Sequence, residues 1–162
     1  MSSPDLDLFV SDLDELYREV IMDHYRRPRN AQELQAPTIK THGLNPFCGD
    51  ESSIQLVLDG QGRVAQVGVQ GRGCSISQSS SSLMSVLLKG KTVEEVEGLT
   101  ELFRRMMQGK DLSEPERLSL GEAGVLEGVR RFPVRIKCAL LAWMTLLDGL
   151  EEYRAKAKHA PE

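Results

Sequence analysis

The sequence predicts a domain that combines α-helices with an antiparallel β-sheet, and three patterns indicate this. Apolar residues recur at helical spacing near both ends of the chain and again in its middle. Two stretches between them alternate apolar and polar residues around a glycine-containing turn, which is typical of a β-hairpin. The length of 162 residues suits one domain with a real apolar core. Since no internal repeat or linker interrupts the pattern, we expect a single domain over residues 1–162.

The composition excludes several classes of protein. Hydrophobic residues make up 40% and charged residues 27% of the chain, which argues against disorder. Twenty basic against 24 acidic residues give a net charge of -4, which disfavours nucleic acid as a partner. No run reaches the roughly 18 uninterrupted apolar residues of a membrane helix, and the acidic N-terminal stretch does not resemble a signal peptide. We therefore expect a cytoplasmic protein with no membrane partner.

The first predicted helix carries an apolar stripe close to the N-terminus. Ser11 is a suitable N-cap, and Pro28 should end the helix near Arg27. His24 lies on the same face as the stripe and is either a metal ligand or a packed, hydrogen-bonded histidine. The second interpretation is favoured because buried polar groups normally find partners. The stripe consists of Leu13, Leu16, Tyr17, Val20, Ile21 and Tyr25.

The predicted hairpin follows a loop-like segment at 31–47, in which one short strand is expected around 38–41. Residues 59–62, DGQG, form its turn. Alternation on each side of this turn predicts one buried face. That face is expected to contain Ile54, Leu56 and Leu58 from one strand and Ala65, Val67 and Val69 from the other.

A serine run after the hairpin has the form of a linker but the periodicity of a helix. Ile76, Ser80, Leu83 and Leu87 lie at helical spacing, so we predict a helix over residues 75–89. Cys74 then lies at its N-terminus, where unpaired N–H groups and the helix dipole favour a thiolate.

Two further helices are predicted in the remainder of the chain. Thr92 and Glu95 form a capping-box pattern that opens the first of them, which runs to about Phe103. Residues 109–124 have the composition of irregular structure with room for one short helix. Pro133 is suited to the first position of a long C-terminal helix, which places Cys138 in the second turn.

The three cysteines, at 48, 74 and 138, cannot all pair within one chain, and the cytosol keeps thiols reduced. Asp50 stands two residues after Cys48, and three cysteines with one aspartate would fill the tetrahedral positions preferred by zinc. Thiolates also suit an iron–sulfur cluster. No C-x-x-C pair is present, so three unrelated buried thiols remain an alternative on the residues alone.

Several stretches resemble the iron–sulfur assembly proteins of the IscU/NifU N-terminal family. They occur in the family's order and read HYRRPRN, NPFCGDE, GRGCSISQSSSSLM, KGK and PVRIKCALL. The resemblance implies an α+β fold, with a three-stranded antiparallel sheet packed against helices and a long C-terminal helix. It also implies a metal or cluster site and a cysteine desulfurase as partner. Matched by motif, the site residues are Cys48, Asp50, Cys74 and Cys138.

Two departures from the scaffold proteins of the family resemble its SufU branch. Lys137 stands where the scaffolds have a histidine, and the stretch at about 90–132 is longer and is interpreted as an insertion. Members of that branch bind zinc and accept sulfur from a SufS-type desulfurase. Arg135 and Lys137 are candidates for offsetting the negative charge of a site with three thiolates and one carboxylate. The alternative is that both are ordinary solvated cations.

Three functions follow from these features. In the first, a zinc-bound sulfur acceptor of sulfurtransferase type, Cys48 attacks the desulfurase persulfide. Cys48 is chosen because it lies in a loop beside Gly49, whereas Cys74 and Cys138 are expected at helix starts. In the second, a non-enzymatic scaffold, the same residues hold iron or a 2Fe–2S cluster and pass it to downstream cluster-assembly proteins. The third, a purely structural metal, fits the Cys-Gly-Asp loop less well.

Overall fold

The structure is a computed structural model that describes residues 15–46 and 49–159. The predicted N-cap Ser11 and the apolar residue Leu13 lie outside these ranges. The elements, in chain order, are α1 (Glu15–Arg26), β1 (Ile39–Asn45), β2 (Asp50–Leu58), β3 (Val64–Arg72), α2 (Ser75–Leu88), α3 (Val93–Met107), α4 (Glu114–Ser119), a 3-10 helix (Gly121–Arg131) and α5 (Pro133–His159).

The three strands form one antiparallel sheet in the order β1-β2-β3. Ile54 in the central strand pairs with Thr41 on one side and with Val69 on the other. The predicted α+β fold, with its three-stranded sheet and long C-terminal helix, is confirmed. β1 is longer than the short strand expected around 38–41, because it continues to Asn45 along β2.

A β-bulge changes which side chains of β3 face the core. Val57 pairs with Gln66, but Leu58 pairs with Val64, so Ala65 is the extra residue. An extra residue reverses the inward and outward alternation on its far side. Val64 is therefore buried and Ala65 only half-buried, which corrects the sequence-based assignment at this position.

The serine-rich segment is a buried helix, as predicted, and it ends at Leu88. Its small residues allow close packing against α5, where Ser80 Oγ donates to the carbonyl of Ala139 at 2.6 Å. Trp143 donates its indole N–H to the same Ser80 oxygen at 3.0 Å. The Trp143 ring stacks on Phe103 of α3, with ring centres 4.1 Å apart. These contacts join α2, α3 and α5 in the core behind the site.

His24 is a packed, hydrogen-bonded histidine, as the favoured interpretation predicted. Its Nδ1 lies 2.7 Å from Ser82 Oγ, and its side chain is buried. The same Ser82 oxygen accepts the backbone N–H of Arg29 at 2.9 Å. α1 ends at Arg26, two residues before Pro28, so this network holds the chain where it leaves the helix.

Residues 90–132 are more ordered than their composition indicates. The capping box at Thr92 and Glu95 is present, and a second one, at Ser113 and Glu116, opens α4. The 3-10 helix then occupies part of the stretch predicted to be irregular. This region contributes many apolar side chains to the hydrophobic core, so it packs with the rest of the fold. The buried ones are Val93, Val96, Leu99, Phe103, Met106, Met107, Leu112, Leu120, Ala123, Leu126 and Val129.

None of the helices in the described part of the chain combines the length and apolar character needed to cross a bilayer.

Candidate metal centre

Three segments that are distant in sequence meet at one end of the sheet. Asp50 is the first residue of β2, Cys74 is the N-cap of α2, and Cys138 lies in the second turn of α5. One Asp50 carboxylate oxygen and the two Sγ atoms all lie within 4.8 Å of one another. Asp50 and Cys138 are each only 1% exposed, whereas Cys74 is half-buried. The structure thus brings together three of the four residues predicted to bind a metal.

The Asp50 carboxylate is hydrogen-bonded to the segment that carries Cys74. Its Oδ1 accepts the backbone N–H of Cys74 at 3.1 Å, and its Oδ2 lies 3.9 Å from Cys74 Sγ. A Cβ atom at Gly73 would overlap both Asp50 Oδ1 and Ser77 Oγ. Glycine is therefore required at position 73 for the carboxylate to approach the helix N-terminus.

The Cys74 thiol ionises readily in this environment. Hydrogen bonding with Cys138 and with the backbone N–H groups of Ser77 and Ile76 lowers the pKa of Cys74 to about 6, although burial and the Asp50 charge oppose the shift. The two backbone donors belong to the first turn of α2. This agrees with the expectation that the helix N-terminus favours a thiolate.

Arg135, one helical turn before Cys138, faces the thiols. Burial alone would lower the pKa of Arg135, but the Cys74 charge and hydrogen bonds with Cys138 and Cys74 raise it above its ordinary value. Lys137 is exposed on another side of α5. Residues three apart share a helix face, which places Arg135 on the side of α5 that carries Cys138.

Cys48 and its neighbour Phe47 lie outside the described residues, so the assignment of Cys48 as ligand and acceptor stays a prediction. The chain on either side of Cys48 is described. Gly49 donates its backbone N–H to the carbonyl of Asn45 at 2.9 Å. Its φ of 71° lies in the left-handed region that favours glycine, which accounts for the glycine between Cys48 and Asp50 in the sequence.

The donor set suits a soft or borderline divalent metal. Zinc is commonly held by thiolate, imidazole and carboxylate ligands in a tetrahedral arrangement, and thiolates also hold iron–sulfur clusters. No other His, Cys, Asp or Glu in the described ranges joins the group of Asp50, Cys74 and Cys138. Cys48 is then the candidate for the fourth position.

Sequence reasoning missed two supporting residues, Ser77 and Gln78. Ser77 Oγ donates to the Cys74 carbonyl at 3.1 Å and lies 3.9 Å from Cys74 Sγ. Gln78 contacts the backbone just before Cys74. A cysteine at an N-cap was the available signal, because a thiol is a poor substitute for the oxygen that usually caps a helix.

A sheet end where a carboxylate and two thiols converge defines a small α+β metal-site domain. The sequence matches the family model for the NifU-like N terminal domain over residues 16–160, and the chain belongs to this family.

Similar proteins cover most of the chain. The zinc-dependent sulfurtransferase SufU of Bacillus subtilis is 43% identical over 142 residues, which span 88% of this chain and 94% of that protein. The iron–sulfur cluster assembly scaffold protein IscU of Streptococcus pyogenes is 38% identical over 93% of this chain and 91% of that protein. A crystal structure of an iron–sulfur cluster assembly scaffold protein for the SUF system, from Fervidobacterium islandicum, aligns with a TM-score of 0.76 at 32% identity, covering 82% of this chain and 94% of that one.

Proposed function

We propose that this protein is a zinc-bound sulfur acceptor in iron–sulfur cluster assembly. The observation that carries the proposal is the buried cluster of Asp50, Cys74 and Cys138, in a chain 43% identical to a protein named as a zinc-dependent sulfurtransferase. Zinc held by these three residues and Cys48 would keep the thiols ionised and tie the sheet to two helices. Lys137 supports zinc over a cluster, because a protonated lysine is a poor metal ligand.

The reaction is a thiol–persulfide exchange. A cysteine desulfurase presents a cysteine persulfide, and the Cys48 thiolate attacks its terminal sulfur. The S–S bond of the donor persulfide breaks, the desulfurase cysteine leaves as a thiolate, and a new S–S bond forms on Cys48. No external oxidant or reductant is needed.

Cys48 is the proposed acceptor because the other two thiols are held by the fold. The Cys74 backbone is fixed by hydrogen bonds to Asp50 and Ser77, and Cys138 is buried in the second turn of α5. Cys48 is instead followed by the left-handed Gly49 and stands between the strands β1 and β2, so its movement is proposed to leave the helices undisturbed. Arg135 and Lys137 are both proposed to stabilise the thiolates electrostatically.

The partners we propose are a SufS-type desulfurase and the cluster-assembly proteins that receive the sulfur, in the cytoplasm. Two exposed apolar side chains support docking of a protein near the site, because Leu44 pairs across the sheet with Glu51, the neighbour of Asp50, and Val134 precedes Arg135. Leu44 at the end of β1 is 59% exposed, and Val134, next to Arg135, is 81% exposed. Large exposed apolar side chains beside a reactive site favour a protein partner.

The insertion at about 90–132 is proposed as a second part of the docking surface. A cavity of about 480 Å³ lies where the insertion meets α1, and its lining contains three arginines and one glutamate. The exposed Leu118 follows Arg117 in sequence. The excess of guanidinium groups favours a partner segment that carries carboxylates. The lining residues are Tyr17, Arg117, Glu127, Gly128, Arg130 and Arg131.

The second candidate function is a scaffold that assembles a 2Fe–2S cluster on the same four residues. It is favoured by the 38% identity to a protein named as an assembly scaffold. The two functions differ in what the isolated protein contains. One zinc per chain and no visible absorption support the sulfur acceptor, whereas iron with acid-labile sulfide, retained through anaerobic purification, would establish the scaffold.

A further inference from the structure

The helix that presents Cys74 begins without the usual capping side chain. Ser, Thr, Asp or Asn at an N-cap normally accepts a backbone N–H from the first turn. Cys74 occupies this position in α2, and its sulfur forms no well-aligned capping bond with the described residues, although the backbone N–H groups of Ile76 and Ser77 lie near enough to favour the thiolate. Its sulfur lies instead beside Asp50 and Cys138. The turn that leads into this N-cap is held by other side chains.

Gln78 supplies the acceptor for two backbone N–H groups in this turn. It lies one helical turn after Cys74, and its side chain reaches back over the start of α2. With the amide oxygen oriented toward the strand, Gln78 Oε1 accepts the backbone N–H of Arg72 and that of Gly73, each at 3.0 Å. One side chain thus holds both residues that connect β3 to Cys74.

Two further hydrogen bonds hold the backbone of Cys74 at the end of this turn. The next N–H along the chain, that of Cys74, donates to Asp50 Oδ1 at 3.1 Å. Ser77 Oγ donates to the Cys74 carbonyl at 3.1 Å. The backbone N–H groups of Arg72, Gly73 and Cys74 therefore all donate to side-chain oxygens, and two of the three donate to Gln78.

We propose that Gln78 is a positioning residue for the metal centre, which fixes the Arg72–Gly73 turn and so the direction of the Cys74 thiolate. The proposal rests on the metal binding proposed above. Outer partners that orient a ligand typically change metal affinity by about 10- to 100-fold when they are removed. The approach of Asp50 and Ser77 requires glycine at position 73, and glycine leaves the turn free to move unless another group restrains it.

Two substitutions at position 78 distinguish the role of the acceptor oxygen from the role of the side chain's size. Gln78→Met keeps the length and apolar stem but has no strong acceptor, whereas Gln78→Glu keeps an oxygen at the same reach. Gln70→Met is the matched control, because Gln70 is exposed on β3 and lies outside the turn. We expect the zinc affinity, measured by chelator competition, to fall about tenfold in Gln78→Met and to recover in Gln78→Glu.

A second measurement follows the hydrogen bonds themselves. Amide hydrogen exchange of the protein as isolated, read by NMR, should show faster exchange at Arg72 and Gly73 in Gln78→Met only. With Co²⁺ in place of zinc, the thiolate-to-cobalt absorption should change in the same variant and return in Gln78→Glu. Unchanged exchange at both amides, or faster exchange spread over all of α2, would overturn the proposal. Failure of the wild-type protein to bind zinc would instead reject the proposed function, while the exchange result would still decide whether Gln78 holds the turn.

Discussion

The backbone N–H of Cys74 donates to Oδ1 of Asp50 at 3.1 Å, so a predicted metal ligand also holds the backbone of its neighbouring ligand. The second carboxylate oxygen, Asp50 Oδ2, lies 3.9 Å from the Cys74 sulfur and so faces the thiol. Because the carboxylate is 1% exposed, water cannot easily replace it in either role. The metal centre and the start of α2 are therefore coupled through one side chain.

Asp50→Ala should remove zinc and destabilise the fold together. An unsatisfied buried N–H costs about 1–3 kcal/mol, so the melting temperature should fall even when wild-type and variant are compared without metal. Asp50→Asn keeps the acceptor oxygen and should recover most of the stability but not the zinc affinity. Zinc content and thermal melts test this, with Glu51→Ala on the other face of β2 as the control. Equal metal-free stability of the Ala and Asn variants would contradict the coupling.

Removal of the metal should lower stability near the site. A ligand that binds only the folded state stabilises it by about 2.7 kcal/mol at a free concentration 100 times its Kd. The ligands come from separate segments of the chain, so the loss should be largest at the ends of β2, α2 and α5. The check is a melt with and without chelator, followed by zinc addition. A midpoint that stays constant after verified zinc loss would show that the metal adds nothing to stability.

Cys48→Ser should abolish sulfur acceptance and preserve the fold, because the described elements on either side of position 48, β1 and β2, are strands rather than helices. Incubation with the desulfurase and cysteine, followed by mass spectrometry, maps the persulfide. The sulfur should appear first on Cys48. Cys74→Ser is the comparison, and it should reduce zinc content more than it reduces the first transfer. Early persulfide on Cys74 or Cys138 with unmodified Cys48 would reject the assignment.

Stability should fall in acid partly because of His24. Burial, assisted by the Arg29 charge, lowers the pKa of His24 below its ordinary value of 6.5, although Glu122 and Asp23 oppose the shift. The unfolded chain then takes up a proton at a higher pH than the folded one, so stability is lost as the pH falls from about 6.5 through the lower pKa of His24 in the folded state. Urea unfolding at pH 7 and pH 5 should show a smaller loss in His24→Gln than in wild type. His42→Gln, at an exposed site, is the control, and an equal loss in His24→Gln and wild type would refute the assignment.

Deletion of residues 90–132 would not isolate partner docking, because Phe103 from this region stacks on Trp143 in the core. A surface substitution is the sharper test. Leu118→Glu removes an apolar side chain that is 72% exposed and adds negative charge near the arginine-lined cavity. We expect the concentration for half-maximal desulfurase activation to rise about tenfold, equivalent to about 1.4 kcal/mol. Zinc content should not change.

Val86→Glu is the matched control for Leu118→Glu, since Val86 is exposed on α2, outside the insertion. It should leave activation as in wild type. Equal activation by Leu118→Glu and wild type would argue against a docking role for this face, and equal weakening by both variants would mark the effect as general.

Local patterns in the sequence determined most of the secondary structure. Alternation defined the hairpin, the Thr92 and Glu95 capping box placed the start of α3, and Pro133 placed the start of α5. These features depend on contacts within a few residues, so a linear pattern records them. The site residues followed from a family resemblance, because the spacing of the cysteines by itself left unrelated structural thiols as an alternative.

Tertiary structure decided what depends on residues far apart in the chain. The partner of His24 is Ser82, the bulge at Ala65 is set by pairing across β2 and β3, and Gln78 caps a turn only because β3 ends beside α2. The approach of Arg135 to the thiols likewise depends on how α5 is rotated against the sheet. Helix rotation and strand pairing are set by packing of the whole core, which no local sequence window contains.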